Sequence, residues 1–313
     1  MNSTILAATW SDGLFVETGQ ALHQELRGKV VRALAADGQG GALAIVDGHS
    51  LGRRTPTGEW STIATSEFPL ACSVAAGKAI YVGTHDAHVL RVDFNGSIDR
   101  LSGFDATPGR NTWYAGTALI NGQTVGPPLG VRSIAATADR LNVLANVHVG
   151  GIPRSTDGGM SWKPTIAVES DVHEVCAHPV HAELVAAASA IGLCISRDGG
   201  ATWITEQEGL HALYCSAAAF VGNEIFVAAA EDHFANRGAV YRRGIGGEGL
   251  LRPLDGGFAE WTSGIVDTGC ISALGSTVCI ADKRGNLYVS EDTGGTWSRR
   301  ASGLPGFSSV LVI

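Results

Sequence analysis

The stretch Ser196-Arg197-Asp198-Gly199-Gly200-Ala201-Thr202-Trp203 decides the architecture of this chain. It recurs as Ser155-Thr156-Asp157-Gly158-Gly159-Met160-Ser161-Trp162 and as Ser290-Glu291-Asp292-Thr293-Gly294-Gly295-Thr296-Trp297. The shared pattern, S-x-D-x-G-x-[ST]-W, reads as a hairpin turn. Ser and Asp side chains bond backbone N–H groups inside the loop, and Gly takes the positions of positive φ. The Trp that follows drops from the outgoing strand into the space between sheets as a large apolar anchor.

Outward from these boxes, runs of about six residues with period-2 or fully apolar character are split by Gly, Asp and Asn turns. No helix is expected. The boxes lie 41 residues apart between Ser155 and Ser196, and 94 between Ser196 and Ser290, close to two units. Units of about 40–45 residues with four strands are the signature of propeller blades. The sequence predicts an all-β, seven-bladed β-propeller with strands A to D in each blade, and a single domain over residues 1–313. Degenerate boxes fall at Thr55–Trp60 and at Asp255-Gly256-Gly257 with Trp261, so five of the seven Trp residues occupy box slots. Blade 1 is split between residues 1–28 and 306–313: Thr4–Ala8 is a B-type strand without an A strand, and Ser308–Ile313 is an A-type strand. Their pairing closes the ring and removes the free edges. An insertion of about residues 105–129 joins blades 3 and 4 and carries Trp113, Tyr114, Pro127 and Pro128.

The three boxes resemble the Asp-box (BNR) repeat of sialidase-like β-propellers, of the wider WD40, YVTN and BNR-like repeat class. In that family the box is structural, so the resemblance implies a folding role for Asp157, Trp162, Asp198, Trp203, Asp292 and Trp297. Sialidases of this fold use an arginine triad, a Tyr–Glu pair and an Arg-Ile-Pro motif. Here Ile152-Pro153-Arg154 has the wrong order and place. Arg32 and Arg132 enter inner strands, but a third partner is not evident.

Composition sets outer limits. The 42 Gly and a formal charge of −8 fit a turn-rich globular chain and give no basic footprint for nucleic acid or an anionic membrane. No apolar run approaches the ~20 residues of a membrane helix. The start, Met1–Leu6, has no basic region, so a cytoplasmic location is expected. The six Cys lack CxxC spacing and read as buried free thiols. No nucleotide cofactor is expected.

In propeller topology the D–A and B–C connections share one face, opposite the boxes. Six of the ten His map to that face: His49, His85, His148 and His233 at B–C turns, and His173 and His211 at D–A approaches. Neutral imidazole is the commonest metal ligand, and a propeller mouth gathers side chains from several blades. The metal candidates are therefore His85, His148, His173 and His233, for a divalent or transition ion. Asp47, Asp86, Asp232 and Glu174 are candidates to orient them. His211, Tyr214 and Glu231 are candidate catalytic groups, and Trp113, Tyr114 and Phe234 candidate walls for a small molecule. The alternatives left open are a non-catalytic binding or scaffold propeller with a protein partner, and a glycoside hydrolase lacking the arginine triad.

Overall fold

The computed structural model describes residues 3–19, 21–116, 118–120, 123–125, 129–247 and 249–313. Pro127 and Pro128 of the insertion lie outside the described residues. Seven antiparallel sheets follow one another around a ring. Blade 5 shows the plan: strand A Val172–Ala177, B Val185–Ser189, C Gly192–Ser196 and D Ile204–Glu206. Every residue of its B and C strands is buried, because both of their faces lie against neighbouring blades. That accounts for their continuous apolar runs where a one-sided sheet would alternate.

The ring closes as its termini predict. Ile5–Thr9 pairs antiparallel with Phe307–Val312, with Ile5 opposite Val312 and Ala8 opposite Ser309. Leu14–Glu17 and Leu22–Glu25 complete that blade.

The three boxes have one geometry. Asp198 Oδ1 accepts from the Ser196 hydroxyl at 2.8 Å and the Thr202 N–H at 2.9 Å, and its Oδ2 accepts from the Thr202 hydroxyl at 2.6 Å. The Gly200 N–H closes the loop onto the Ser196 hydroxyl at 2.8 Å. Asp157 and Asp292 repeat these bonds with Ser155 and Ser161, and with Ser290 and Thr296. Trp162 and Trp297 are buried and donate to the carbonyls of Gly159 and Gly294; the partly buried Trp203 donates to Thr165.

Two expectations are corrected. In blade 6, strand D is Arg252–Pro253, so Asp255-Gly256-Gly257 follows it and is not the C–D turn. Phe258 fills the inter-blade slot against Trp297 at 5.0 Å, while Trp261 sits under the Arg237 guanidinium. Helical turns are present as well: one of α-helix at Ser102–Asp105 leads into the insertion, and a 3₁₀ turn at Arg110–Thr112 within it precedes a small hairpin, Ala118–Ile120 with Gln123–Val125.

Bonds to the charged form hold the Asp157, Asp198 and Asp292 carboxyls at about 2, against burial in the case of Asp198. Since the folded values lie below the ordinary 3.8, the boxes contribute their stability above pH 4. That contribution is lost as pH falls through about 2. Asp198→Ala, with its capping-type bonds gone, is expected to cost on the order of 1–2 kcal/mol in urea unfolding at pH 7. The difference from the parent chain is expected to shrink below pH 3.

Candidate functional site

The inner strands carry a repeated irregularity. The A–B register slips between Leu70 and Cys72, Val131 and Ser133, Val172 and Glu174, and Cys215 and Ala217. In each blade one residue is left out of the ladder: Ala71, Arg132, His173 and Ser216. A bulge of this kind turns its extra side chain out of the alternation of the strand. Ala71, Arg132 and His173 line a cavity of about 1000 Å³ over the channel mouth, on the face that carries the B–C and D–A connections.

His148 and His173 meet there with Asp171, their potential ligand atoms all within 4.8 Å of one another. His173 Nδ1 lies 2.6 Å from the carbonyl oxygen of Cys215. A carbonyl only accepts, so Nδ1 carries a proton; in the neutral ring Nε2 then presents its lone pair. That atom lies 3.7 Å from Asp171 Oδ2. Arg132 donates to His148 Nε2 at 3.2 Å, so this nitrogen carries no proton and its lone pair is taken by the guanidinium; it stands 3.5 Å from Asp171 Oδ1. His148 Nδ1, Asp171 Oδ1 and His173 Nε2 are buried without hydrogen-bond partners. Asp171 itself is held at φ 46°, ψ 70°, a left-handed conformation that costs a non-glycine residue on the order of 1–3 kcal/mol.

Charge around this cluster is arranged by Arg132. Its guanidinium donates to Asp267 at 2.9 Å and Thr268 at 3.0 Å as well as to His148. Burial and the Arg132 charge pull His148 down to about 4, so it is neutral at pH 7. Burial works against ionisation of Asp171 and Asp267, but the adjoining cations and imidazoles outweigh it and hold both carboxyls below the ordinary value. Glu174 is pushed up to about 8 by burial, although it accepts from the Ala218 and Gly269 N–H groups. The Tyr214 ring packs against His173 at a tilt of 42°, with centroids 4.3 Å apart. The insertion covers His148: Tyr114 bridges Val149, and a Cβ on Gly116 would stand 2.1 Å from His148 Cε1, so only glycine fits that approach.

His85, His148, His173 and His233 all line the cavity, but among the described residues only His148 and His173 of these come together with a third group of ligand type. Asp171 is that group. Tyr214 lines the cavity; His211 and Glu231 do not. His211 is turned aside by a 2.7 Å bond from its ring to the Tyr241 hydroxyl and by the Trp261 ring. Tyr114 and Phe234 line the mouth with exposed rings. Trp113 is buried instead, against Phe104 at 5.6 Å, and is core. Asp47 is committed to Lys29 at the surface, away from the cavity. All six Cys are free. Burial pushes the Cys72 and Cys215 thiols up to about 12, which keeps them protonated.

No protein-family model matches the chain, and no curated protein does. Solved structures do, and those similar in fold are seven-bladed propellers. A GH74 enzyme from Niastella koreensis aligns with TM-score 0.62 and 12% identity, over 95% of this chain and 47% of that one. YCF48 bound to D1 peptide aligns at 0.56 and 14%, over 96% and 86%. The computationally designed Ika8 protein aligns at 0.60 and 13%, over 99% and 86%. The chain thus spans about half the length of the GH74 enzyme. A designed protein aligning as well as natural ones makes plain that this likeness concerns the fold alone.

The His148 environment makes a direct prediction for metal-free protein. Its ring is expected to stay neutral in NMR titrations until the pH nears 4. Because the folded value lies below the ordinary 6.5, stability falls as pH drops below 6.5, where the unfolded chain takes up a proton that the folded ring refuses. The decline is expected to level off near pH 4. A His148 midpoint close to 6.5 contradicts the packed, Arg132-bonded ring.

Proposed function

We propose that the protein holds a divalent transition metal ion between His148, Asp171 and His173 and presents it to a small molecule in the cavity. The observation that carries this reading is the convergence of His148 Nε2, Asp171 and His173 Nε2, of which Asp171 Oδ1 and His173 Nε2 are buried without a partner and His148 Nε2 is met by Arg132. The two ring nitrogens stand 3.5 and 3.7 Å from the one carboxylate. A cation in the space between them would be met by all three groups at once. Ligands about 2.1 Å from a tetrahedral zinc ion stand about 3.4 Å apart, close to these separations. Two imidazoles and one carboxylate suit zinc, iron or manganese better than calcium. The bond from His173 to the Cys215 carbonyl is the outer support that fixes a ligand ring and its tautomer. On this reading Arg132 yields its contact with His148 and keeps those with Asp267 and Thr268. The ion would supply Lewis acidity toward a bound oxygen. Tyr214, packed against His173, is a proton-carrying group beside the ligand set, and Tyr114 and Phe234 frame the mouth.

We read the three boxes as Asp-box (BNR) repeats, on their common bonding, with no chemistry at the site. A binding propeller is the second reading. The exposed Trp10, Tyr114 and Phe234 rings at the mouth favour it, as does a propeller of this fold seen with a peptide. A glycoside hydrolase is less favoured. Retaining enzymes need two free carboxyls about 5–5.5 Å apart. Here Glu174 is engaged by two backbone donors and Asp267 by Arg132.

The test is metal content by plasma mass spectrometry after incubation with zinc, iron and manganese salts followed by desalting. About one equivalent is expected. His173→Ala is expected to lower affinity by more than the ~10–100-fold that loss of a ligand's hydrogen-bond partner costs. His211→Ala is expected to leave it unchanged. An absence of bound ion, or equal binding by His173→Ala, removes this reading in favour of the binding propeller.

A further inference from the structure

Arg32 and Arg132 hold matching places in the inner strands of blades 2 and 4, in Val31-Arg32-Ala33-Leu34-Ala35 and Val131-Arg132-Ser133-Ile134-Ala135. Their surroundings differ. Arg132 is bound by a carboxylate, a hydroxyl and an imidazole. Arg32 also lines the cavity, yet among the described residues no carboxylate pairs with it, and its buried Nε–H has no acceptor. Burial alone accounts for the lowering of its pKa, which means that no anionic side chain answers its charge.

The strand is shaped around this arginine. Two residues, Ala33 and Leu34, stand opposite the single Ala44 between the pairs Arg32–Ile45 and Ala35–Leu43. Ala33 takes φ 54° to do so, a conformation unfavourable for alanine. On the neighbouring inner strand, Ser73 also lines the cavity, and its buried hydroxyl has no partner. The next loop brings His85 to the same wall; burial and the nearby Arg32 charge keep its ring neutral. Two unsatisfied donors and one unanswered positive charge therefore share a wall built from blades 2 and 3. The ligand class that answers both is an oxyanion, which the planar guanidinium fork takes up with two parallel bonds.

We propose that Arg32 is the receptor for a carboxylate or phosphate group on the small molecule that occupies this cavity, with Ser73 and His85 as supporting donors. The proposal rests on the small-ligand reading of the cavity and does not need the metal. It restricts the ligand to anions and gives it a direction, with its charged group toward blades 2 and 3.

The experiment uses the full chain, labelled with ¹⁵N-arginine and freed of metal with EDTA. The Arg32 Nε–H resonance is followed during titration with succinate, inorganic phosphate and, as the uncharged control, succinamide. A saturable shift with at least one anion and none with succinamide is expected. The stronger of the two anions identifies the group as carboxylate or phosphate. Arg32→Gln, checked for folding by its thermal melt, is expected to weaken binding at least tenfold, measured by calorimetry. Arg27→Gln, on the exposed rim of blade 1, is expected to leave it unchanged. No saturable shift with either anion overturns the proposal. So does an equal shift with succinamide, or undiminished binding by folded Arg32→Gln. Since the protein is metal-free throughout, a failed metal-content measurement leaves this result readable, and the reverse also holds.

Discussion

The constraint on which the rest of the structure depends is the antiparallel pairing of Ile5–Thr9 with Phe307–Val312. A ring of blades has two unsatisfied edges until its last strand joins its first. Once joined, the inner strands of all seven blades face one channel, and their spacing is no longer free. Small residues then occupy the second strands, as in Val185-Ala186-Ala187-Ala188-Ser189 and at the Ala228-Ala229-Ala230 end of Glu224–Ala230. The site exists because closure points the upper ends of these strands at one another. Side chains from blades 4, 5, 6 and 7, far apart in the chain, thereby share one polar cluster.

The fold was legible in the sequence because its signals are local. A box needs only eight residues to specify its bonds: Ser155 to Asp157, Asp157 to Ser161, and the backbone N–H of Gly159 to Ser155. Strand alternation and turn residues gave blade boundaries, and the incomplete ends gave the closure. The error in blade 6 has the same origin. Trp261 follows two glycines as a box Trp does, but the pattern does not reveal that Arg252–Pro253 has already formed strand D. Phe258, an aromatic at another spacing, fills the inter-blade slot instead. Trp113 was misread in a related way. An aromatic in a long polar insertion reads as a binding wall, yet the helical turn at Ser102–Asp105 brings Phe104 beneath it, and both join the core.

The site was legible only to the level of a face. Topology puts B–C and D–A residues on one side, and that was enough to place His85, His148, His173, His233 and Tyr214 at the cavity. Which of them meet depends on two features without a sequence signature. One is the register slip that takes His173 and Arg132 out of their ladders. The other is the left-handed turn at Asp171, which sets its carboxylate between two imidazoles. An aspartate adopts that conformation more readily than most residues, but nothing in Ser170-Asp171-Val172 requires it. His211 and Glu231 mark the same limit from the other side. Each is close in sequence to a cavity residue, and local geometry sends it elsewhere.

The two arginines show why a matching sequence does not imply a matching role. Arg132 gains its partners from a loop 135 residues away, where Asp267 and Thr268 enter blade 7. Among the described residues no such carboxylate reaches Arg32. Burying a guanidinium is costly unless its hydrogen bonds and charge are answered, so the two sites differ in energy although their strands read alike. At Arg132 the cost is met internally, and the residue serves to orient His148. At Arg32 it is left standing, beside an alanine held at positive φ and a hydroxyl without a partner. Unsatisfied groups that accumulate on one wall of a cavity mark where the folded chain gains most by binding, and here they define an anion as the complement.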